Sequence, residues 1–187
     1  MQSWAVYILL SAVALGFYDI TKKHAVDRNA VMPVLFLATL CGSGLFIAAT
    51  ALSGNLNAMA CTAREFWLIL LKSCIVSASW ICVYNAMQTM PISLAAPIRA
   101  TSPLWTFLGS LVLYHEIPSL GQAVGMITIF TGYYLFSVWG RLEGFSLRGR
   151  GMMFIMAGTF FGAVSSLYDK FLLGSLQLDR GLVQFHF

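Results

Sequence analysis

Few side chains in this sequence can do chemistry inside an apolar setting, and Arg99 is the sharpest of them. It lies about eight residues inside a long apolar run, where an arginine costs roughly 2.5–3.5 kcal/mol on insertion scales. A residue placed there faces either a wet cavity or a paired carboxylate. Asp19, which closes the first apolar run, is the expected partner, because the end of span one and the start of span four share a membrane face. Glu116 lies on the opposite face. The pair has two readings: part of a substrate site, or a structural contact that sets helix register. If Arg99 faces a cavity, its charge favours a substrate bearing a carboxylate or phosphate. Lys22, Asp169 and Lys170 complete the gating or charge-pair candidates. Lys72, near the start of span three, is expected to snorkel to the interface.

Other chemistry finds no support. There is no HExxH, GxSxG, P-loop or pair of intramembrane carboxylates, so an enzyme is not expected. His24, His115 and His186 are isolated and lack a second ligand at helical spacing. Cys41, Cys61, Cys74 and Cys82 form no CxxC pair and read as small buried hydrophobes. Neither a metal nor a cofactor is expected.

The elements that must carry these residues follow from composition. Of 187 residues, 59% are hydrophobic and 10% charged, and mean hydropathy is +0.80. A soluble domain carries roughly 25% charge, so a soluble enzyme is not expected. The net charge of +4 is too small and scattered for a nucleic-acid partner. A spanning helix needs about 20 mostly apolar residues. Such runs occur at Ser3–Ile20, Val31–Leu52, Phe66–Met87, Ile92–Leu113, Gln122–Trp139 and Met152–Leu173, and Gly181–Phe187 starts a further one. The expected fold is therefore all-α, a polytopic transmembrane bundle of six helices and a stub. Short connections (Thr21–Ala30, Ser53–Glu65, Gln88–Pro91, Tyr114–Gly121, Gly140–Gly151) leave no room for a soluble catalytic domain. Ala12-Val13-Ala14 fits a signal-peptidase site, but no positive charge precedes the run, so the first helix is read as a span.

An internal repeat is visible. Tyr18-Asp19 closes span one, and Tyr168-Asp169 closes span six, 150 residues later. Asp27-Arg28 echoes Asp179-Arg180 with two residues inserted. Five spans separate the copies, an odd number, which places the two aspartates near opposite membrane faces. That is the pattern of an inverted-topology repeat.

At 100° per residue, four helices have one face unlike the rest. Span three lines up Ser73, Ser77, Trp80, Tyr84 and Gln88, a face suited equally to lining a cavity and to packing. Span four aligns Arg99, Ser102, Thr106 and Ser110, and span six Gly158, Gly162, Ser165 and Asp169. The stripe on span five, Gly121, Gly125, Thr128 and Gly132, is read as packing. Pro97 and Pro103 flank Arg99 and are expected to kink span four.

The stretch from Asn85-Ala86-Met87 through Pro91-Ile92-Ser93-Leu94-Ala95-Ala96-Pro97-Ile98-Arg99-Ala100-Thr101-Ser102-Pro103-Leu104-Trp105 resembles the third and fourth helices of EamA-like transporters, of the drug/metabolite transporter superfamily. Glu116, Gly121-Gln122, Gly125 and Gly132 continue the likeness. Ser166-Leu167-Tyr168-Asp169-Lys170-Phe171-Leu172-Leu173 resembles the first helix of the second repeat in a bacterial branch. The resemblance implies a ten-helix carrier of two inverted halves that moves small metabolites, amino acids or drugs across the plasma membrane by alternating access. On that pattern residues 1–140 form the first repeat, 141–151 a linking loop, and 152–187 an incomplete second repeat. The chain then reads as a truncated carrier, or as a piece completed by a second chain. Its partners are the lipid bilayer and a small-molecule substrate. Trp80, Tyr84, Gln88, Arg99, Ser102 and Thr106 are the substrate-cavity candidates, and Asp19 would hold or gate Arg99. The rival reading is a membrane subunit that acts by helix packing alone. Orientation stays open. Basic residues in loops one, three and five (Lys22, Lys23, Arg28, Arg141, Arg148, Arg150) put those loops in the cytoplasm, whereas the family expectation is a cytoplasmic N-terminus.

Overall fold

The computed structural model describes residues 3–54, 60–115, 118–142 and 149–187, and every element among them is helical. The helices are α1 (Ser3–Asp27), α2 (Val31–Leu52), α3 (Ala63–Thr89), α4 (Ile92–Arg99), α5 (Ser102–Tyr114), α6 (Leu120–Leu142), α7 (Arg150–Lys170) and α8 (Arg180–His186), with a π-helical turn, Phe171–Ser175, after α7. Glu116, Glu143 and Arg148 lie outside the described residues, as does most of the expected 141–151 loop.

Helix ends follow side-chain chemistry. Thr62 and Glu65 close a reciprocal box at the start of α3: the Thr62 amide donates to Glu65 Oε2 at 2.7 Å, and the Glu65 amide to Thr62 Oγ1 at 3.4 Å. Ser119 and Gln122 repeat that device before α6. Asp179 accepts from the Leu182 amide at 3.0 Å and opens α8.

Three boundaries differ from the sequence reading. First, α1 runs through the expected Thr21–Ala30 loop as far as Asp27. Its polar residues pair along the helix, Lys22 with Asp19 at 2.8 Å and Lys23 with Asp27 at 3.6 Å. Lys23 Nζ also donates to the Met87 carbonyl at 2.7 Å, tying this end of α1 to α3. Second, span four is two helices and not a single kinked one. Pro103 has no amide to offer the Arg99 carbonyl, so the ladder stops there. Ala100 and Thr101, at ψ −4° and −6°, carry the chain across the break. Third, span six widens into a π turn at Phe171, before its expected end at Leu173.

Helices α3 and α7 form the spine. A Cβ on Gly158 would lie 2.7 Å from Val83 Cγ2 and 3.1 Å from the Ser79 carbonyl oxygen, so only glycine permits this approach. Ser79 Oγ donates to the Gly158 carbonyl at 2.7 Å across the same contact. One buried cluster gathers Tyr84, Met87, Met90, Leu94 and Ile155 with Val26 and Val31. A second joins Ile69 to Leu172, Leu182 and Val183 near the other end of α3.

Much of the remaining surface is apolar and exposed, as on α2, where Val31 and Thr50 are the buried residues. By length and composition, Val31–Leu52, Ala63–Thr89 and Arg150–Ser175 are each able to cross a membrane. Leu120–Gly132 is a shorter apolar helix. The chain is a multi-pass helical membrane protein.

Two packing expectations are corrected. No described atom lies within 4 Å of a Cβ built on Gly121, Gly125 or Gly132. The α6 stripe is thus open and not a helix seam, and the glycines that do seat helices are on α5 and α7. The cysteines are free, but none is fully buried: Cys41 and Cys74 are exposed, Cys61 and Cys82 half-buried. On a lipid-facing surface a thiol needs no cover, because hydrocarbon suits it as well as a core does.

Candidate functional site

Toward the C-terminal end of α1, Asp19 meets two cations. Arg99 Nη1 donates to Oδ1 at 2.7 Å and to Oδ2 at 2.8 Å. Lys22 Nζ, on the next turn of α1, donates to Oδ1 at 2.8 Å. The Lys22 side chain is 3% exposed, Asp19 22% and Arg99 32%, so the guanidinium is the accessible member. Two aromatic rings cover the lysine. Its Nζ lies 4.4 Å from the Tyr18 ring centre and 5.3 Å from that of Tyr84. The two phenol oxygens are 3.1 Å apart and share one hydrogen bond, which holds both rings in place.

The local sequence explains why these groups converge. Asp19 and Lys22 are three apart and therefore share a helix face. Arg99 is the last residue of α4, at the break that Pro103 imposes. A side chain there is free of the packing that a continuous helix would require. Tyr84 is buried within α3, and its ring flanks Lys22.

A second charged cluster sits at the other end of α3. Lys72 Nζ lies 2.7 Å from Asp169 Oδ1 and 4.4 Å from the Phe187 ring centre. Lys72 is 6% exposed, so it does not snorkel as expected; the carboxylate and the aromatic face offset the cost of burying its ammonium. Tyr168, beside Asp169, donates to the Leu68 carbonyl at 3.2 Å. Both Tyr-Asp pairs thus dock on α3, where Lys72 and Tyr84 are about 18 Å apart at 1.5 Å per residue.

The remaining candidates divide. Ser102 and Thr106 line a groove of about 500 Å³ with Ser110, Ser166 and Lys170. Lys170 Nζ donates to Ser110 Oγ at 3.0 Å and lies 4.7 Å from the Tyr114 ring. An adjoining groove of about 710 Å³ opens between α5 and α6, lined by Phe107, Ser110, Gln122 and Gly125 among others. Trp80 and Gln88 are engaged elsewhere. Trp80 packs edge-on against Phe187, and Gln88 Nε2 donates to the Asn29 carbonyl at 3.0 Å in the α1–α2 turn. The structure therefore brings together Asp19, Lys22, Tyr84 and Arg99, and separately Ser102, Thr106 and Lys170.

Sequence reasoning missed two partners. Tyr18 was visible only as half of the repeated Tyr-Asp pair, with nothing to indicate that it reaches Tyr84. Lys72 carried no signal beyond its depth in span three. Among the described residues no group of His, Cys, Asp and Glu is placed to hold a metal ion.

The family model described as the EamA-like transporter family matches residues 2–138. No curated protein and no solved structure matches the chain. The match spans the helices that build the Asp19–Arg99 cluster and the break beside it, and on it the chain belongs to the EamA-like transporter family, whose members are transporter-like membrane proteins.

Proposed function

We propose that this protein works as a secondary carrier of small metabolites or drugs, by alternating access, in the inner membrane of a bacterium. The observation that carries the reading is the Asp19–Arg99 ion pair at the interruption between α4 and α5. An ion pair in a spanning region costs desolvation, and a broken helix there leaves backbone groups unpaired; both are tolerated where they line a water-filled path. Asp19 gates Arg99, and Ser102 and Thr106 continue the polar surface along α5. The clusters at the two ends of α3 support an inverted repeat with one cluster near each face. With no nucleotide-binding motif in the sequence, a gradient of ion or substrate drives the movement.

The experiment is counterflow exchange in proteoliposomes holding the chain, with labelled amino acids, monocarboxylates and sugar phosphates as probes. Exchange of at least one probe that is lost in Arg99→Gln is the expected result. A second reading, a subunit acting by helix packing, is favoured by the engagement of Trp80 and Gln88. It requires that no probe exchanges and that Arg99→Gln changes thermal stability only.

A further inference from the structure

The Asp19 cluster does not balance its charge. Asp19 supplies one negative charge, and Lys22 and Arg99 supply two positive ones, all within hydrogen-bond distance. No second carboxylate is present to complete the set among the described residues. Asp27 is paired with Lys23, Asp169 with Lys72, and Glu65 and Asp179 cap helices. The Tyr18 and Tyr84 rings ease the burial of Lys22 but bring no formal charge.

Helix dipoles do not settle the account either. The C-terminus of α4 adds partial negative charge beside Arg99, but the N-terminus of α5 follows after Ala100 and Thr101 and adds partial positive charge. Across the break the two cancel. Thr101 gives the α5 end no side-chain cap, and its carbonyl accepts from the Leu104 amide at 2.9 Å.

Arg99 also has donors to spare. Only Nη1 is engaged by Asp19; the Nε–Nη2 edge donates to nothing among the described residues. That edge presents two parallel N–H groups, the geometry that grips a carboxylate with two bonds. At 32% exposure the side chain is reachable.

We infer that the Nε–Nη2 edge of Arg99 takes the carboxylate of a small organic monoanion, and that Lys22 keeps the site one positive charge in excess by sharing Asp19. The ligand completes a four-charge cluster of two cations and two carboxylates. A neutral analogue of the same shape leaves the excess in place and gains nothing. Lys22 is a positioning residue here: it reaches the ligand only through Asp19. The inference rests on the carrier reading for its meaning, but it is tested by binding alone.

The test is thermal unfolding of the full chain in detergent, titrated with benzoate and, separately, benzamide. Benzoate is expected to raise the melting temperature along a saturating curve, and benzamide to leave it unchanged. Lys22→Met makes the cluster neutral without touching the Asp19–Arg99 contact and weakens benzoate binding about tenfold or more. Asp19→Asn raises the excess and strengthens it. Equal shifts from benzoate and benzamide on the unaltered protein overturn the proposal, whatever the variants do. So does a Lys22→Met protein that binds benzoate as before. If phosphatidylglycerol nanodiscs abolish the benzoate shift and phosphatidylcholine nanodiscs preserve it, the site holds a lipid headgroup and the proposal also falls. Counterflow separates the two readings: benzoate bound but not exchanged removes the carrier and keeps the site. Exchange of neutral solutes without benzoate binding does the reverse.

Discussion

Asp19 accepts from a single nitrogen of Arg99 at both carboxylate oxygens, 2.7 and 2.8 Å away, across 80 residues of sequence. The contact ties the end of α1 to the break between α4 and α5. It thus holds the junction where the Ala100 and Thr101 amides still donate to the Ala96 and Ile98 carbonyls but Pro103 has no amide for that of Arg99. Its weight in stability follows from which partner is removed.

Removing Asp19 leaves Lys22 and Arg99 facing each other without a counter-charge. Asp19→Ala is expected to destabilise by about 2–4 kcal/mol, close to the range for one broken member of a buried pair. Arg99→Ala costs less, because Lys22 still pairs with Asp19. The Asp19→Ala/Arg99→Ala double variant recovers part of the loss, since it removes the repulsion along with the attraction. Unfolding in a denaturant series in detergent measures all three. Single losses that simply add would mean that the two side chains do not interact.

At the other cluster the asymmetry has the opposite sense of exposure. The Lys72 side chain is 8% exposed and that of Asp169 35%. Asp169→Leu strands a buried ammonium against the Phe187 ring, whereas Lys72→Leu leaves a carboxylate that is partly exposed although its Oδ1 is buried. The melting temperature is therefore expected to fall further in Asp169→Leu than in Lys72→Leu. The reverse order would mean that Lys72 finds water, as a snorkelling residue does.

Two glycines on similar sequence stripes make a matched test of packing. Gly158→Ala forces a methyl against Val83 Cγ2 and the Ser79 carbonyl, and overpacking of that kind costs about 1–3 kcal/mol. Gly125→Ala meets nothing within 4 Å and gains helix propensity, so it is expected to be neutral or to stabilise by up to about 1 kcal/mol. Thermal melts of the two variants decide it; equal losses would place Gly125 at a helix contact.

Periodicity and apolar length were enough to locate the helices, and the cost of a buried charge was enough to pair Arg99 with Asp19. What the residues did not disclose was partner geometry. A stripe of small residues reads the same whether a helix faces it, as on α7 at Gly158, or open space does, as on α6 at Gly125. A lysine near a helix start reads as interfacial until the fold brings Asp169 to Lys72. The end of α1 is tied to α3 by Lys23 reaching the Met87 carbonyl, a contact 64 residues away that no local pattern encodes.

Pro103→Ala tests whether the break itself matters. Alanine restores an amide that the Arg99 carbonyl can accept, and it removes the ring that clashes with that carbonyl. Proline is about 3 kcal/mol less favourable than alanine in a helix interior, so the variant favours joining α4 and α5 into one helix. Joining them would move Ala100 and Thr101 from ψ near zero to helical values and swing Arg99 relative to Asp19. The expected outcome is a melting temperature at or above that of the unaltered chain, with counterflow exchange reduced. That split distinguishes a working hinge from a static kink, because a static kink removed at no cost in stability has no reason to slow exchange. Exchange at the original rate would assign the movement to another part of the bundle, with the α3–α7 spine the element left to test.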